Sequence, residues 1–371
     1  MDLDHNPPVT QALTVLGLES SCDETAAAVV RLHPDGQVQV LSDRIQSQDA
    51  AHAPFGGVVP EIAARQHADI IDQIIAQTMQ DSQLQFSQLD GVAATTGPGL
   101  IGGVLVGMMT GKAISLAANI PFVAVNHLEG HALSPLLAAD LPFPYLLLLV
   151  SGGHTQLLSV AGLGQYHRYG STIDDAAGEA FDKTAKIIGL GFPGGPAVEQ
   201  AAKTGDETRF SLPQPLARRP GCDFSFSGLK SAVQRHWQQL DAPTAQDKSD
   251  LAASFQRTAS DILCRQTAKA MQLFRQQFGA TTLVVAGGVA ANQIIRQALQ
   301  VLADEQGFGF IAPPLRYCTD NGAMIALAGA KHLRQGQTSA LNIAARPRWP
   351  LDEISASLNP ASGAGKKGPK S

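Results

Sequence analysis

The sequence predicts an α/β protein built from two similar halves, because three features recur in the same order along the chain. Each half opens with two apolar runs separated by a short polar turn. A glycine turn between an apolar strand and a helix pattern follows, and a further strand that runs into a polar helix start completes the half. Because the halves repeat, we expect two lobes that face each other across a cleft.

The first feature of each half is a β-hairpin pattern. It reads VLGLESSCDETAAAVV over residues 15–30 and YLLLLVSGGHTQLLSV over residues 145–160. Two apolar runs joined by small polar residues are typical of antiparallel strands with a tight turn. The second turn holds Ser151, Gly152 and Gly153, whose backbone N–H groups can approach a phosphate. A plain hairpin turn explains these glycines equally well.

The second feature is a strand that enters a glycine turn before a long helix pattern. It covers residues 91–109 in the first half and residues 282–299 in the second. A glycine turn at a helix start is suited to holding a phosphate, because the backbone N–H groups there lack partners within the helix. Together with the hairpins, these turns predict a nucleotide held between the lobes, as in actin, heat-shock chaperone ATPases and sugar kinases.

The third feature, a strand followed by a polar helix start, places metal-binding residue types at equivalent points. From Pro98 to His127 there are 29 positions, and from Gly287 to Asp320 there are 33. His127 and His131 are four residues apart, so on a helix they share one face and can bind one ion. Two histidines and a carboxylate with open positions suit catalytic iron or zinc. The alternative is a pair of surface or capping histidines.

The segment HLEGH differs from the HExxH motif of zinc proteases. Glu129 is two residues from each histidine, which on a helix turns it about 200° away from His127. A protease needs its carboxylate beside the metal-bound water. The sequence therefore argues against a metalloprotease.

The second half is longer than the first by about 60 residues, which we place as an inserted helical segment at about residues 165–235. Basic and aromatic residues are interleaved over residues 216–237, a pattern compatible with RNA contact and equally with a solvated helix. We predict lobes at residues 14–135 and 136–350. Low apolar content predicts disorder at residues 1–13 and 351–371.

Composition narrows the class of protein further. The net charge of −5 gives no overall nucleic-acid signal, and four scattered cysteines without a CxxC pair favour a reduced, cytoplasmic protein. The acidic N-terminus shows no signal peptide. Residues 100–120 are long and apolar enough to span a membrane, but four glycines and Lys112 favour a buried helix, so we expect no membrane association.

Nine motifs together resemble the tRNA N6-adenosine threonylcarbamoyltransferase family (the TsaD group, formerly called O-sialoglycoprotein endopeptidase) over about residues 15–350. They are ESSCDET (19–25), FGGVVPEIAARQH (55–67), TTGPGLIGGVLVG (95–107), NHLEGH (126–131), LVSGGHTQL (149–157), DDAAGEAFDK (174–183), FPGGP (192–196), AGGVAANQ (286–293) and CTDNGAMIA (318–326).

The resemblance implies an acyltransferase with the duplicated fold of actin, heat-shock chaperones and sugar kinases. It would move the threonylcarbamoyl group from threonylcarbamoyl-adenylate to the N6 amine of the adenosine adjacent to the anticodon, in tRNAs that read codons starting with A, and release AMP. His127, His131 and Asp320 would act through one divalent metal, Fe(II) ahead of Zn(II). The substrate-binding residues would be Leu149, Val150, Ser151, Gly152, Gly153, Asp182, Gly195 and Asn292, with Glu199 as a further candidate.

The resemblance also implies partners: tRNA, an inactive paralogue (TsaB-like), a small ATPase (TsaE-like) and a separate enzyme that makes the adenylate. For the base that accepts the proton of the amine, Glu19, Asp23 and His154 are candidates because they lie on the two hairpin turns. The alternative function is an actin-like ATPase or scaffold subunit of the same tRNA-modification complex.

Overall fold

The computed structural model describes residues 11–353 of the chain. The predicted disordered ends, residues 1–13 and 351–371, lie mainly outside the described residues. At their inner limits the first strand begins at Leu13, and Asp352 is buried. Two five-stranded sheets with helices packed against them form the frame of the described chain.

The first sheet belongs to the first half of the chain. Its strands are β1 (Leu13–Glu19), β2 (Glu24–Leu32), β3 (Val38–Ser47), β4 (Gly91–Gly97) and β5 (Phe122–Asn126). Its helices are α1 (Asp49–His52), α2 (Pro60–Ser82), α3 (Ile101–Ala118) and α4 (His127–Leu133). The strand order is β3-β2-β1-β4-β5, with the hairpin antiparallel and β1, β4 and β5 parallel.

The second sheet repeats this plan. Its strands are β6 (Tyr145–Val150), β7 (Thr155–Gly162), β8 (Gln165–Ser171), β9 (Thr282–Ala286) and β10 (Gly309–Ile311). Its order, read as β8-β7-β6-β9-β10, matches the first sheet strand for strand, with the same directions. The predicted duplicated α/β fold is therefore confirmed.

The second half carries six helices. They are α5 (Ala177–Ile188), α6 (Gly194–Ala202), α7 (Ser227–Gln238), α8 (Ala245–Phe278), α9 (Gln293–Glu305) and α10 (Gly322–Arg334). Helix α8 is the counterpart of α2, because each leads from the third strand of its half to the strand before the glycine turn. The added helices are therefore α5, α6 and α7. Residues 165–171, at the start of the predicted insertion, form strand β8, the counterpart of β3.

The last helix of the described chain, α10, packs against the first sheet although it follows the second in sequence. Glycines allow this close approach: a Cβ on Gly17 of β1 would lie 2.3 Å from the backbone nitrogen of Ala326, and one on Gly322 would lie 2.5 Å from that of Ala28. Burial of apolar residues from α10, β1, β2 and β4 forms one continuous core. The predicted lobe limits, residues 14–135 and 136–350, stay a prediction. Helix α10 falls in the second range by sequence and packs against the sheet of the first.

Helix α3 is the one described helix long and apolar enough to cross a membrane by length and composition. Its packing makes it a helix of the first lobe, since a Cβ on Gly103 would lie 2.3 Å from the carbonyl oxygen of Ser20. Lys112 donates a hydrogen bond of 2.6 Å to the carbonyl oxygen of Ile343. The outer face of α3 nevertheless exposes large apolar side chains, among them Met109 and Leu116.

Candidate metal and nucleotide site

The three predicted metal ligands come from equivalent helix starts. Helix α4 begins directly after β5, where Asn126 caps it by accepting a 2.9 Å hydrogen bond from the backbone N–H of Leu128. Asn321 caps α10 in the same way, with the N–H of Met324 as donor. Asparagine is favoured at this position because its side-chain oxygen satisfies a free N–H of the first turn. His127 thus follows one cap, and Asp320 precedes the other.

The structure brings these three side chains together. The Oδ1 atom of Asp320 lies 3.0 Å from Nε2 of His131 and 3.6 Å from Nε2 of His127. One ligand atom from each residue lies within 4.8 Å of the others. An ion about 2.0–2.1 Å from tetrahedral ligands separates those ligands by about 3.3 Å. The two distances to Asp320 lie on either side of that separation, so the three side chains are close enough to share one ion, and Nδ1 of buried His131 has no hydrogen-bond partner.

The fully buried carboxylate of Glu19 orients His127. Its Oε2 lies 2.9 Å from His127 Nδ1 and accepts a hydrogen bond from the Thr95 hydroxyl, while Oε1 accepts one from the Ser21 backbone N–H. A carboxylate on one ring nitrogen of a histidine directs the other nitrogen to a metal. Glu19 therefore has a positioning role rather than that of a free base. Sequence reasoning missed this contact because the partners are 108 positions apart.

Opposite charges stabilise this arrangement. Burial alone lowers the pKa of His127, but the charges of Asp320 and Glu19 outweigh it and raise the pKa to about 9. Burial raises the pKa of Asp320, yet His127 and the hydrogen bond from His131 hold it well below its usual range. His127 is therefore an imidazolium at neutral pH when only protein groups surround it, and an ion that binds at Nε2 must displace a proton.

His154, the candidate base on the second hairpin turn, lies beside the histidine pair. Its ring centroid is 6.3 Å from that of His127. Burial, and then the neighbouring His127 and His131, lower the pKa of His154 to about 3, so the ring is neutral at physiological pH. A ring with so low a pKa is a weak proton acceptor at physiological pH.

The first hairpin turn brings two further carboxylates towards the cleft. Burial raises the pKa of Asp23, and it raises the pKa of Glu24 well above the usual value, with Asp320 adding to both shifts. Sequence reasoning singled out Asp23 and passed over Glu24, although both stand in the polar run ESSCDET. The hydroxyl of Ser21 in the same turn lies 3.1 Å from Nδ1 of His127, so this turn adjoins the predicted metal ligands.

The predicted substrate-binding glycines line open space. A Cβ on Gly152, Gly153 or Gly195 would meet no atom within 4 Å. In contrast, Gly178 at the start of α5 approaches the turn so closely that its Cβ would lie 2.7 Å from the Cα of Gly152. The turn is thus supported from behind by α5 and open in front. Leu149 and Val150 are fully buried strand residues, so the structure exposes neither of these two predicted residues to the space in front of the turn.

The remaining predicted substrate residues lie on connected elements of the second lobe. Asp182 on α5 accepts a 2.8 Å hydrogen bond from the backbone N–H of Gly194. Burial is the largest cause that raises the pKa of Asp182 to about 6. Asn292 caps α9 and donates a 2.8 Å hydrogen bond to the Gln256 side chain. Glu199 accepts one from the backbone N–H of Gln293, so α6 and α9 are tied together.

Comparison with known proteins identifies relatives over the whole chain. Residues 39–327 match the family model described as TsaD, tRNA N6-adenosine threonylcarbamoyltransferase. Proteins of that name from Maricaulis maris and Bartonella henselae are 58% and 54% identical to this chain. The alignments cover 100% of both chains in the first case, and 96% of this chain and 100% of the relative in the second.

Solved structures with low sequence identity share the fold. HypF of T. kodakarensis superposes with a TM-score of 0.55 at 14% identity, over 88% of this chain and 48% of its own. A full-length HypF in phosphate- and nucleotide-bound form gives 0.55 at 13%, over 88% and 56%. These likenesses support the two-lobed actin-like architecture alone.

Proposed function

This chain belongs to the tRNA N6-adenosine threonylcarbamoyltransferase family, and from that premise we propose how its cleft performs the transfer. The protein transfers the threonylcarbamoyl group to the N6 amine of adenosine in tRNA. We take the donor to be threonylcarbamoyl-adenylate and the acceptor to be the adenosine adjacent to the anticodon, in tRNAs that read codons starting with A. The observation that carries the site is the convergence of His127, His131 and Asp320 from the two halves of the chain.

The bond changes are those of an acyl transfer. The N6 amine attacks the carbamoyl carbon, a carbon–nitrogen bond forms, and the carbon–oxygen bond to phosphate breaks. AMP leaves with the electron pair, and the amine loses a proton. Because the adenylate already has a good leaving group, the enzyme chiefly orients the reactants and stabilises the charge that develops on oxygen.

His127, His131 and Asp320 would hold one divalent metal, Fe(II) ahead of Zn(II). Two imidazoles and one carboxylate with open positions are the ligand set of non-haem iron sites and also suit zinc. When bound, such an ion polarises an oxygen of the substrate as a Lewis acid. Glu19 holds His127 in the required orientation through the 2.9 Å contact at Nδ1.

The second lobe would bind the adenylate. The backbone N–H groups of Gly152 and Gly153 are suited to the phosphate, because no side chain fills the space in front of the two glycines. The N–H of Ser151 already donates a 2.8 Å hydrogen bond to the carbonyl oxygen of His154. Asp182 would accept hydrogen bonds from the ribose, and Gly195 and Asn292 on the connected elements would complete this part of the site. Asp23 and His154 on the hairpin turns stay candidates for accepting the proton of the amine, and a pKa of about 3 makes the His154 ring a weak base for that step.

An apolar stripe on α3 supports the proposed paralogue as a partner. Ile101, Leu105, Met109 and Leu116 lie on one helix face, and 71% of Leu116 is exposed. A TsaB-like paralogue with a similar first lobe would offer an equivalent apolar helix to cover it. Leu116→Asp should abolish the complex, whereas Leu273→Asp, at an exposed position of α8, should leave it intact. Equal complex formation by both variants in size-exclusion chromatography would contradict this placement.

We also propose a TsaE-like ATPase and tRNA as partners, and the cytoplasm as the location of the protein. The net charge of −5 is consistent with tRNA being held by an assembly rather than by this chain alone. Tight binding of unmodified tRNA by the isolated chain at physiological salt would contradict that view.

The function is tested by transfer of labelled threonine, supplied as fresh threonylcarbamoyl-adenylate, onto unmodified tRNA in the presence of the helper proteins. Wild type should form the modified nucleoside. His131→Ala should lose at least about 100-fold in rate, the loss that misplaced reacting groups produce. His33→Ala, outside the site, is the matched control. Equal transfer by wild type and His131→Ala would overturn the proposed site.

A further inference from the structure

The back of helix α4 carries a buried hydrogen-bonded cluster that the reaction itself does not use. Glu129 lies between the two proposed ligands in sequence but faces away from them, as the helix geometry predicts. Its Oε1 accepts a 2.7 Å hydrogen bond from the Tyr166 hydroxyl on β8. Its Oε2 accepts one of 2.7 Å from Nε2 of His332 on α10. Both carboxylate oxygens are therefore occupied by protein donors.

The contact with His332 joins an imidazole to a carboxylate. Nδ1 of His332 lies 2.6 Å from the Gln337 amide oxygen, and Nε2 faces the carboxylate. Burial lowers the pKa of His332, but the hydrogen bond to Glu129 outweighs burial and raises it, which favours a ring that donates from both nitrogens. The side chain of Glu129 is 7% exposed and that of His332 is 18% exposed. A buried, charge-assisted bond of this kind is stronger and more directional than a surface ion pair.

The cluster joins the two helices that supply the proposed ligands. His127 and His131 lie on α4, and Asp320 lies two residues before the start of α10. The helices are also in close contact, since a Cβ on Gly130 would lie 2.9 Å from Cδ1 of Ile325. The ligand side of α4 thus meets the N-terminus of α10, while its opposite side is bonded to the last turn of the same helix.

We propose that Glu129 and His332 are positioning residues that fix α4 against α10 and thereby set the separation between the histidine pair and Asp320. This inference rests on the proposed metal site and adds a role for residues that do not touch the ion. A ligand set held at the right separation before binding loses less conformational entropy when an ion enters. Residues behind the ligands of metal sites typically change metal affinity by about 10–100-fold.

The test uses Co²⁺ as a spectroscopic probe on the full chain. His332→Leu removes the hydrogen bond while filling the space, and His332→Gln keeps a donor as a conservative rescue. His33→Leu is the matched control outside the cluster. We expect His332→Leu to weaken Co²⁺ binding by at least about tenfold and to alter the visible absorption of bound Co²⁺. His332→Gln should recover part of both properties, and His33→Leu should match wild type.

Glu129→Gln gives a second route if His332→Leu does not fold, because the amide preserves size and the bond from Tyr166. It should weaken Co²⁺ binding in the same direction. Wild-type affinity and an unchanged spectrum in a folded His332→Leu or Glu129→Gln variant would overturn the inference alone. A wild-type chain that bound no Co²⁺ would overturn the proposed metal site, and this inference with it.

Discussion

The two hairpin turns occupy equivalent positions in the two sheets, yet they differ in charge and in the space around them. The first turn, residues 19–25, is acidic, and Glu19 within it is completely buried and bonded to His127. The second turn, residues 151–154, has two glycines that face open space. One copy of the element has become a support for the proposed metal ligands, and the other offers bare backbone to an anion. The two halves thus share one backbone arrangement, and the different side chains at the turns give the two turns different proposed roles.

The largest effect should come from removing the support on the acidic turn. Glu19→Ala deletes the acceptor at His127 Nδ1 and should lower metal affinity by about 10–100-fold, with a matching fall in transfer. Equilibrium dialysis with Zn²⁺ measures the affinity. Glu61→Ala, which removes an exposed carboxylate paired with Arg65, is the control. Unchanged affinity in Glu19→Ala would mean that the two turns do not differ as described.

The charge of the acidic turn should also make metal binding depend on pH. Because His127 holds its proton up to a pKa of about 9, affinity should rise by up to about tenfold per pH unit from pH 7 to pH 9. The stability of the metal-free protein should instead fall as the pH rises. A raised folded-state pKa stabilises the fold below the unfolded value near 6.5, and this contribution is lost as pH rises through about 9. Titration calorimetry and thermal unfolding at several pH values measure both trends, and a flat affinity profile would contradict the assignment.

On the open turn, a single methyl group should impair binding without harming the fold. Gly153→Ala adds a Cβ where no protein atom lies within 4 Å, so the melting temperature should stay close to that of wild type. The methyl group would occupy the space proposed for the phosphate, so the KM for the adenylate should rise by about tenfold, the equivalent of roughly 1.4 kcal/mol. Gly228→Ala on α7 is the matched control. An unchanged KM would contradict the proposal that this turn binds the phosphate.

The smallest effect is expected at Asp182, which lies on helix α5, the helix that supports the second hairpin turn. Burial and neighbouring acids raise its pKa to about 6, so its ionised form is disfavoured by the fold. This destabilisation is absent below the unfolded pKa near 3.9, grows as pH rises to about 6, and is constant at higher pH. At pH 8 the free energy of unfolding of Asp182→Asn, measured with denaturant, should therefore exceed that of wild type by about 1–2 kcal/mol. At pH 4 the two proteins should be equally stable. A destabilised variant at pH 8 would show that the carboxylate is needed as an ion.

Much of the fold could be predicted from the sequence because the repeat is written in apolar runs and glycines. The same spacing placed His127 and Asp320 at equivalent helix starts, and the structure brings them together. The role of Glu19 could not be predicted, because a hydrogen bond between residues 108 positions apart leaves no local pattern. For the same reason the contact between Glu129 and His332, 203 positions apart, appears only in three dimensions. Asn292 illustrates a mixed case, since its position suggested a ligand contact and the structure adds a cap on α9.

The packing of α10 on the first sheet has a consequence for biosynthesis. A ribosome releases the strands of the first sheet early, but residues 322–334 emerge only after the strands of both sheets have been made. Until then, the face of β1, β2 and β4 that α10 buries lacks its native cover. The first sheet is therefore covered only after the second sheet has been made, and until then the nascent chain carries an exposed apolar surface. The proposed metal ligands meet at the same late moment, so a chain terminated before α10 would have neither a finished core nor a site.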